Sequence, residues 1–424
     1  MRSCILPVTL GLLLLFGCSE SGGGPDDPQP AVSTDSLKAA RIFIVTENEA
    51  EISSKETYVN CVVTVESDHE EWDYSGTGKI RGRGNSSWLW YPKKPYRVKL
   101  DEKAGILGLK PEKDWVLLAD YRDPTHLMNT FVFTVGQKLG MPYTNRIRYA
   151  EVTLNGDNIG LYLLTEQVEQ GSNRVAINDA EGVLLSLDAD DGPGLSPDAD
   201  DNFWSSVYQM PVCVKSPGIT SGTQLATIRS DFAILEAAIK NAGYSEVEKL
   251  LNIQSFIDYM LIQELVYNVE VDAPRSIYIY KDKGGRWTMG PLWDFDAGFD
   301  FDWSTMYTGH NYFASYTELV LGTDPVNHRN GYTVPSFFTD LFKSKQFVSE
   351  YKARWLAVKD LVMADYWKTT QRYAGQISDA MARNAKRWPI DKNYVTETQH
   401  LQQWLSNRVG HMTTVIAGYP AGTK

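Results

Sequence analysis

A change of hydrophobic period along the chain limits the fold more than any other feature of the sequence. Residues 41–46 (RIFIVT), 58–66 (YVNCVVTVE), 78–84 (GKIRGRG) and 95–100 (PYRVKL) carry the alternation and β-branched content of antiparallel strands joined by turns. One helix follows. Asp123 and Thr125 stand where caps belong, Leu127 to Leu139 is rich in apolar residues, and Gly140 suits a left-handed C-terminal cap. Next, RIRYAEVTL and GLYLLTEQV flank Asn155-Gly156-Asp157-Asn158, a composition that hairpin turns favour. From there the period is mainly helical: Leu225, Ile228, Phe232, Leu235 and Ile239, closed by Gly243; an all-round apolar run from Phe256 to Tyr267; then stripes through Phe347, Tyr351, Trp355, Val358 and Leu361 and through Leu401, Trp404, Leu405, Val409 and Met412. A hairpin interrupts the helices, SIYIYKD and RWTMGPLWDFD around Lys283-Gly284-Gly285. This order predicts an α+β fold with a sheet-rich N-terminal lobe, about 41–170, and a mainly helical C-terminal lobe, about 171–420.

The N-terminus has a different character. Arg2, an apolar run from Ile5 to Phe16, and Gly17 before Cys18 have the layout of a secretory signal, too short to span a bilayer. With Leu15 three positions upstream, the site is similar to the lipobox of bacterial lipoproteins. The expectation is a leader over 1–17, acylation of Cys18, and an exported protein on the cell envelope, at the outer membrane or cell surface. Residues 18–40, rich in Gly, Pro, Ser and Asp, read as a flexible tether. The net charge of −12 argues against nucleic acid as the main partner. The six histidines lack metal-ligand spacing and there is no GxSxG elbow, which weakens zinc-hydrolase and serine-hydrolase readings. Cys61 and Cys213 are either a pair or two buried thiols, with the thiols favoured.

Phosphoryl transfer needs backbone donors and cations around phosphate, carboxylates for Mg²⁺, and a carboxylate near the acceptor hydroxyl. Each has a candidate. The run Arg81 to Ser87 (RGRGNSS) packs Gly84, Asn85 and Ser86 between Arg81, Arg83 and Ser87 at a strand end, a turn able to wrap phosphate. Lys93, Lys94 and Lys99 compete for one phosphate-contacting role, with Lys94 preferred and Lys99 second. In WDFDAGFDFDW, Asp294 and Asp296 sit among Trp293, Phe295 and Phe299, a costly setting for carboxylates unless paired or metal-bound; strand alternation would put both on one face. Asp272 falls in the loop between the apolar helix and the second hairpin, with Glu270 as local competitor. The acidic stretch from Asp188 to Asp201 fails the EF-hand pattern, because Ala199 stands where the bidentate glutamate belongs, and reads as a solvated loop.

Taken in order, RGRGNSSWLWYPKKPYRVKL, DWVLLADYRDPTHLMN, LNGDNIGLYLLTEQVE and GPLWDFDAGFD resemble the spore-coat protein H (CotH) kinase-like family. The resemblance implies an atypical bilobal protein-kinase-like fold that uses ATP and Mg²⁺ to phosphorylate Ser or Thr on proteins. It implies Asp272 as the catalytic aspartate, Asp294 with Asp296 as the metal ligands, Lys94 on the phosphates, and Glu166 to Glu169 near the nucleotide at the lobe junction. Two positions depart from the pattern. Ser276 stands where many relatives carry asparagine, and the first helix has no glutamate to pair with the lysine, although Asp123 lies at its start. These departures, with the scarcity of ATP outside the cytoplasm, keep two alternatives open: a pseudokinase serving as a surface binding or scaffold protein, and a glycoside hydrolase using Asp294 with a second carboxylate.

Overall fold

Strict in–out alternation organises the first strands. In the computed structural model, which describes residues 38–241, 243–327 and 334–424, β1 (Ala40–Thr46) turns Ala40, Ile42 and Ile44 inward and Arg41 and Val45 to solvent. The same alternation in β2 (Val59–Glu66), β3 (Tyr74–Gly82) and β4 (Tyr96–Ala104) buries Cys61, Val63, Ile80, Val98 and Leu100, whereas β5 (Glu112–Leu118) is covered on both faces, with Trp115 and Leu117 in the barrel core and Val116 in the other apolar cluster. A short helix, α1 (Ser86–Leu89), lies between β3 and β4, and α2 (Met128–Leu139) separates β5 from the hairpin of β6 (Ile147–Leu154) and β7 (Asp157–Glu166). Among the described residues these seven strands close into a barrel, in the order β1-β2-β3-β4-β5-β7-β6. Closure comes from β6, which returns parallel to β1 with Ala150 opposite Ala40. A closed sheet leaves no edge to aggregate. The β1 period alone does not reveal that partner, because alternation specifies a face and not a neighbour.

The rest of the chain builds a second sheet and a helical mass. Its elements are β8 (Val183–Leu187), β9 (Asn202–Trp204), β10 (Pro211–Ser216), α3 (Gly222–Asn241), α4 (Tyr244–Leu250), α5 (Ile253–Leu265), β11 (Ile277–Lys281), β12 (Thr288–Met289), α6 (Ser336–Thr339), α7 (Lys345–Leu361), α8 (Lys368–Arg387) and α9 (Tyr394–Gly418). The sheet order is β12-β11-β8-β10-β9, so the expected second hairpin is extended by three strands that the periodicity had not marked. The central strand, β8, is five residues of VLLSL, four of them fully buried. A buried run that short shows neither alternation nor helical spacing.

One helix joins the two halves. In α2 the first nine residues are buried, and the helix shares its apolar cluster with Val116, Tyr149, Leu161 and Leu163 on the barrel and with Leu185, Ile279 and α5 beyond it. The Asp123 carboxylate caps α2 as the sequence led one to expect, accepting from Thr125 N at 2.7 Å and Met128 N at 2.8 Å. At the other end Gly140 is left-handed, φ 73, and Met141 N donates to Gly136 O at 3.0 Å. The fold is α+β, sheet-rich at its N-terminal end and helical towards its C-terminus. Cys61 and Cys213 are free, buried thiols. The leader, Cys18 and all of the tether before Lys38 lie outside the described residues, and β1 already begins at Ala40. No helix among the described residues is long and apolar enough to cross a membrane.

Candidate functional site

The glycine-rich turn and the acidic run, some two hundred residues apart in sequence, line one cleft. Past β3, Arg83 N donates to Pro95 O at 3.2 Å and Gly84 takes φ +84, a left-handed conformation that lets the chain double back into α1. The turn aims the Arg83 guanidinium over the ring of Trp293, 5.3 Å from its centroid. Arg83 and Ser87 face Lys93, Asp120, Arg122, Asp294 and Asp296 across the cleft.

The acidic pair reaches the cleft by a route that differs from the expected one. Strand β12 ends at Met289, and Gly290 (φ 119) and Pro291 take the chain out of the ladder, so Asp294 and Asp296 lie on a loop rather than a strand face. Asp294 itself is left-handed at φ 63, a conformation that is strained for a residue with a side chain and clusters at functional sites. Phe295, between the two, is fully buried and anchors the loop. Asp296 pairs with Arg122 at 2.7 Å, and its backbone oxygen accepts from Tyr312 Oη at 2.7 Å. Among the described residues Asp294 accepts a long hydrogen bond from Ser276 Oγ, 3.4 Å, and forms no ion pair. Burial and then the Asp296 charge push its pKa up to about 6, against the pull of Arg83 and Arg122.

Further carboxylates surround the pair. Burial, followed by Asp294, holds Glu270 well above the usual carboxylate range, and its Oε2 is buried without a hydrogen-bond partner. Asp188, at the end of β8, accepts from Ser276 N at 3.1 Å and adds its charge to the field at Asp294. Asp190 pairs with Arg275 at 3.1 Å and Asp191 with Lys215 at 2.6 Å, which pins the start of the acidic stretch, while residues 194–200 are exposed, as the solvated-loop reading expects. Among the described residues no three His, Cys, Asp or Glu side chains converge tightly enough to hold a metal by themselves.

The remaining candidates scatter. Lys94 points away from the acidic pair: its Nζ donates to Trp88 O at 2.5 Å, on a groove lined by Glu49, Ile52, Tyr96 and Asp157. Lys99 pairs with Asp114 at 3.2 Å on the outward face of β4, beside Arg97, and Arg81 lies next to them against the Tyr58 ring. The lysine in the cleft is Lys93, fully buried, with its Nζ donating to Ala119 O at 2.7 Å and to Leu161 O. Asp120 lines the same cleft and its charge acts on Lys93. Burial lowers the pKa of Lys93 and raises that of Asp120, and each charge opposes the other's shift. Asp123, suggested for that role, is spent on capping α2. Asn85 accepts from Lys55 at 2.7 Å and reaches Asp190 at 3.4 Å, and Ser86 opens α1. Glu166 is fully buried, and Tyr143 Oη, Arg146 N, Arg146 Nε and Arg174 all donate to it within 3.1 Å, so both its oxygens are already held by protein donors. Nearby Glu169 is half-buried and raised to about 7 by burial and then by Asp114. Asp272 ends a single 3-10 turn, half-buried, on the loop that also carries Glu270.

A sequence model of the family described as CotH kinase protein matches residues 80–412, from β3 into α9. The chain belongs to the CotH family. The match takes in all the residues that line the cleft, from Arg83 to Asp296, and also the loop that carries Asp272. Curated proteins offer no match to the chain. The CotH cleft also holds residues that the sequence pattern did not single out: Arg122, Asp120 and Asn129. Arg122 and Asp120 lie just outside the apolar stretch of α2 and Asn129 in its first turn, positions where polar residues are ordinary.

Proposed function

We propose that this CotH chain is a Mg²⁺-ATP-dependent phosphotransferase with a bilobal, kinase-like organisation, acting on Ser or Thr hydroxyls of envelope or secreted proteins. The observation that carries the reading is Asp294: a strained, half-buried carboxylate beside Asp296, without an ion pair, opposite the Arg83 turn. Two carboxylates suit Mg²⁺, which keeps several water and phosphate ligands and needs no closed protein cage. Asp294 and Asp296 would hold it, and when bound it neutralises charge on the phosphates. Arg83, with Arg81 and the backbone of the Gly84 turn, would fix the nucleotide. Asp272 would orient the acceptor hydroxyl and take its proton as the new P–O bond forms and the bond to ADP breaks. Membership of the CotH kinase family supports the reading. Export and anchorage through an acylated Cys18 would place the domain at the cell surface.

A second reading is a catalytically weak pseudokinase acting as a surface scaffold. It is favoured by Lys93, whose ammonium is already held by two carbonyls, and by Arg122, which already neutralises Asp296. The two readings separate in a transfer assay with ATP labelled on its γ-phosphate and an envelope-protein fraction as acceptor. Label entering protein with the wild type, and lost with Asp294→Ala and with Asp272→Asn, supports the phosphotransferase; ATP binding without transfer supports the scaffold. Loss with Glu270→Gln but not with Asp272→Asn would move the base role to Glu270.

A further inference from the structure

The left-handed backbone at Asp294 needs something to hold it; Tyr312 Oη bonds the Asp296 carbonyl on one side, and a buried amide side chain bonds the peptide between the two aspartates. Asn129, in the first turn of α2 and buried, accepts a hydrogen bond from Phe295 N at 3.0 Å through its Oδ1 and donates to Asp120 Oδ1 at 3.2 Å through its Nδ2. The orientation of the amide follows from chemistry: a peptide N–H can only donate, so the amide oxygen faces Phe295 and the nitrogen is left to face Asp120. The charge of Asp120 acts on Lys93, which grips the barrel carbonyls of Ala119 and Leu161. Asn129 thus ties the peptide between the two cleft carboxylates to Asp120, just past β5 of the barrel. The apolar contacts run parallel to it, with Phe133 against Trp293 and Phe131 against Phe299.

We propose that Asn129 is a positioning residue for the Asp294–Asp296 pair, holding the loop in the conformation in which both carboxylates face one cation. The inference rests on the phosphotransferase reading and adds to it the route by which the barrel and α2 set the geometry of the metal site. Asn129 acts through Phe295 N and touches neither cation nor nucleotide.

The test uses the full chain and two near-isosteric variants. Asn129→Leu removes both hydrogen bonds and keeps the volume; Asn129→Asp keeps the acceptor for Phe295 N. ATP affinity is measured by calorimetry with and without Mg²⁺, and amide hydrogen exchange is followed over residues 292–298. The expected result is that Asn129→Leu loses about tenfold or more of the Mg²⁺-dependent affinity, on the scale of lost outer-shell support, keeps the Mg²⁺-independent affinity, and exchanges faster only in that segment. Asn129→Asp is expected to restore most of the metal-dependent affinity. Wild-type values for Asn129→Leu in both measurements overturn the inference and leave the phosphotransferase reading standing. Absence of Mg²⁺-dependent binding in the wild type overturns that reading instead, and the exchange data then decide whether Asn129 holds the loop. Should Asn129→Leu fail to fold, Asn129→Ser, too short to reach the amide, is compared with Asn129→Asp on the same terms.

Discussion

Two acidic residues illustrate how environment separates structure from function. Glu166, fully buried, is surrounded by donors from Tyr143, Arg146 and Arg174, whereas the half-buried Asp294 is left with strain and a raised pKa. Glu166→Gln breaks a buried network and is expected to lower unfolding free energy by about 3 kcal/mol, with nucleotide affinity unchanged; denaturant melts and calorimetry on one preparation check both halves. Asp294 has the opposite signature. Its folded pKa, about 6, lies above the ~3.9 of an unfolded aspartate, so folding favours its protonated form. Below the unfolded pKa both states keep the proton and the residue does not oppose folding; that advantage is lost as pH rises through 6. Asp294→Asn is therefore expected to stabilise the metal-free protein by about 1–2 kcal/mol at pH 8 and by much less at pH 4.5. Equal gains at both pH values would point to packing instead of charge. A carboxylate that weakens the fold at neutral pH agrees with the ligand role proposed for Asp294.

The elements divide into those a period can reveal and those it cannot. The α2 boundaries follow from chemistry local to the chain, Asp123 at one end and Gly140 at the other, and the Asn155-Gly156 turn forms the β6–β7 hairpin with both residues at positive φ. Strands β8 to β10 are too short or too evenly buried to be read, and barrel closure depends on a pairing between β1 and β6 that no local pattern carries. The site was legible to the same degree. Arg83, Asp294 and Asp296 stood out as a glycine-rich turn and acids in apolar context. Among three neighbouring lysines, however, only the fold distinguishes Lys93 in the cleft from Lys94 turned to Trp88, and Asn129 looked like any polar residue in a first helical turn. One junction between elements makes a direct prediction. Gly160 in β7 is at φ +95, and a Cβ there would lie 2.4 Å from Asn384 Oδ1 of α8; the Asn384 amide oxygen also accepts from Leu161 N at 3.0 Å. Gly160→Ala is expected to cost about 2–3 kcal/mol through strain and a displaced α8, read by denaturant melts.

At the scale of the whole molecule, a closed barrel presents one outward face to a helical mass, and α2 lies in the joint with the acidic loop packed on it. The charged groups of the cleft come from both sides: Arg83 from the barrel, and Asp294 and Asp296 from the loop after the second sheet, with Glu270 on the turn after α5 adding its charge to theirs. Such a joint is where a ligand binds when two halves of a fold contribute unlike groups. The central claim is that this joint is a metal-dependent nucleotide site. Its most direct test is calorimetric titration of the protein with ATP, with and without Mg²⁺, beside Asp294→Ala. The account predicts binding that strengthens with Mg²⁺ in the wild type and loses that gain in the variant; a folded wild type that binds no ATP under either condition would contradict it.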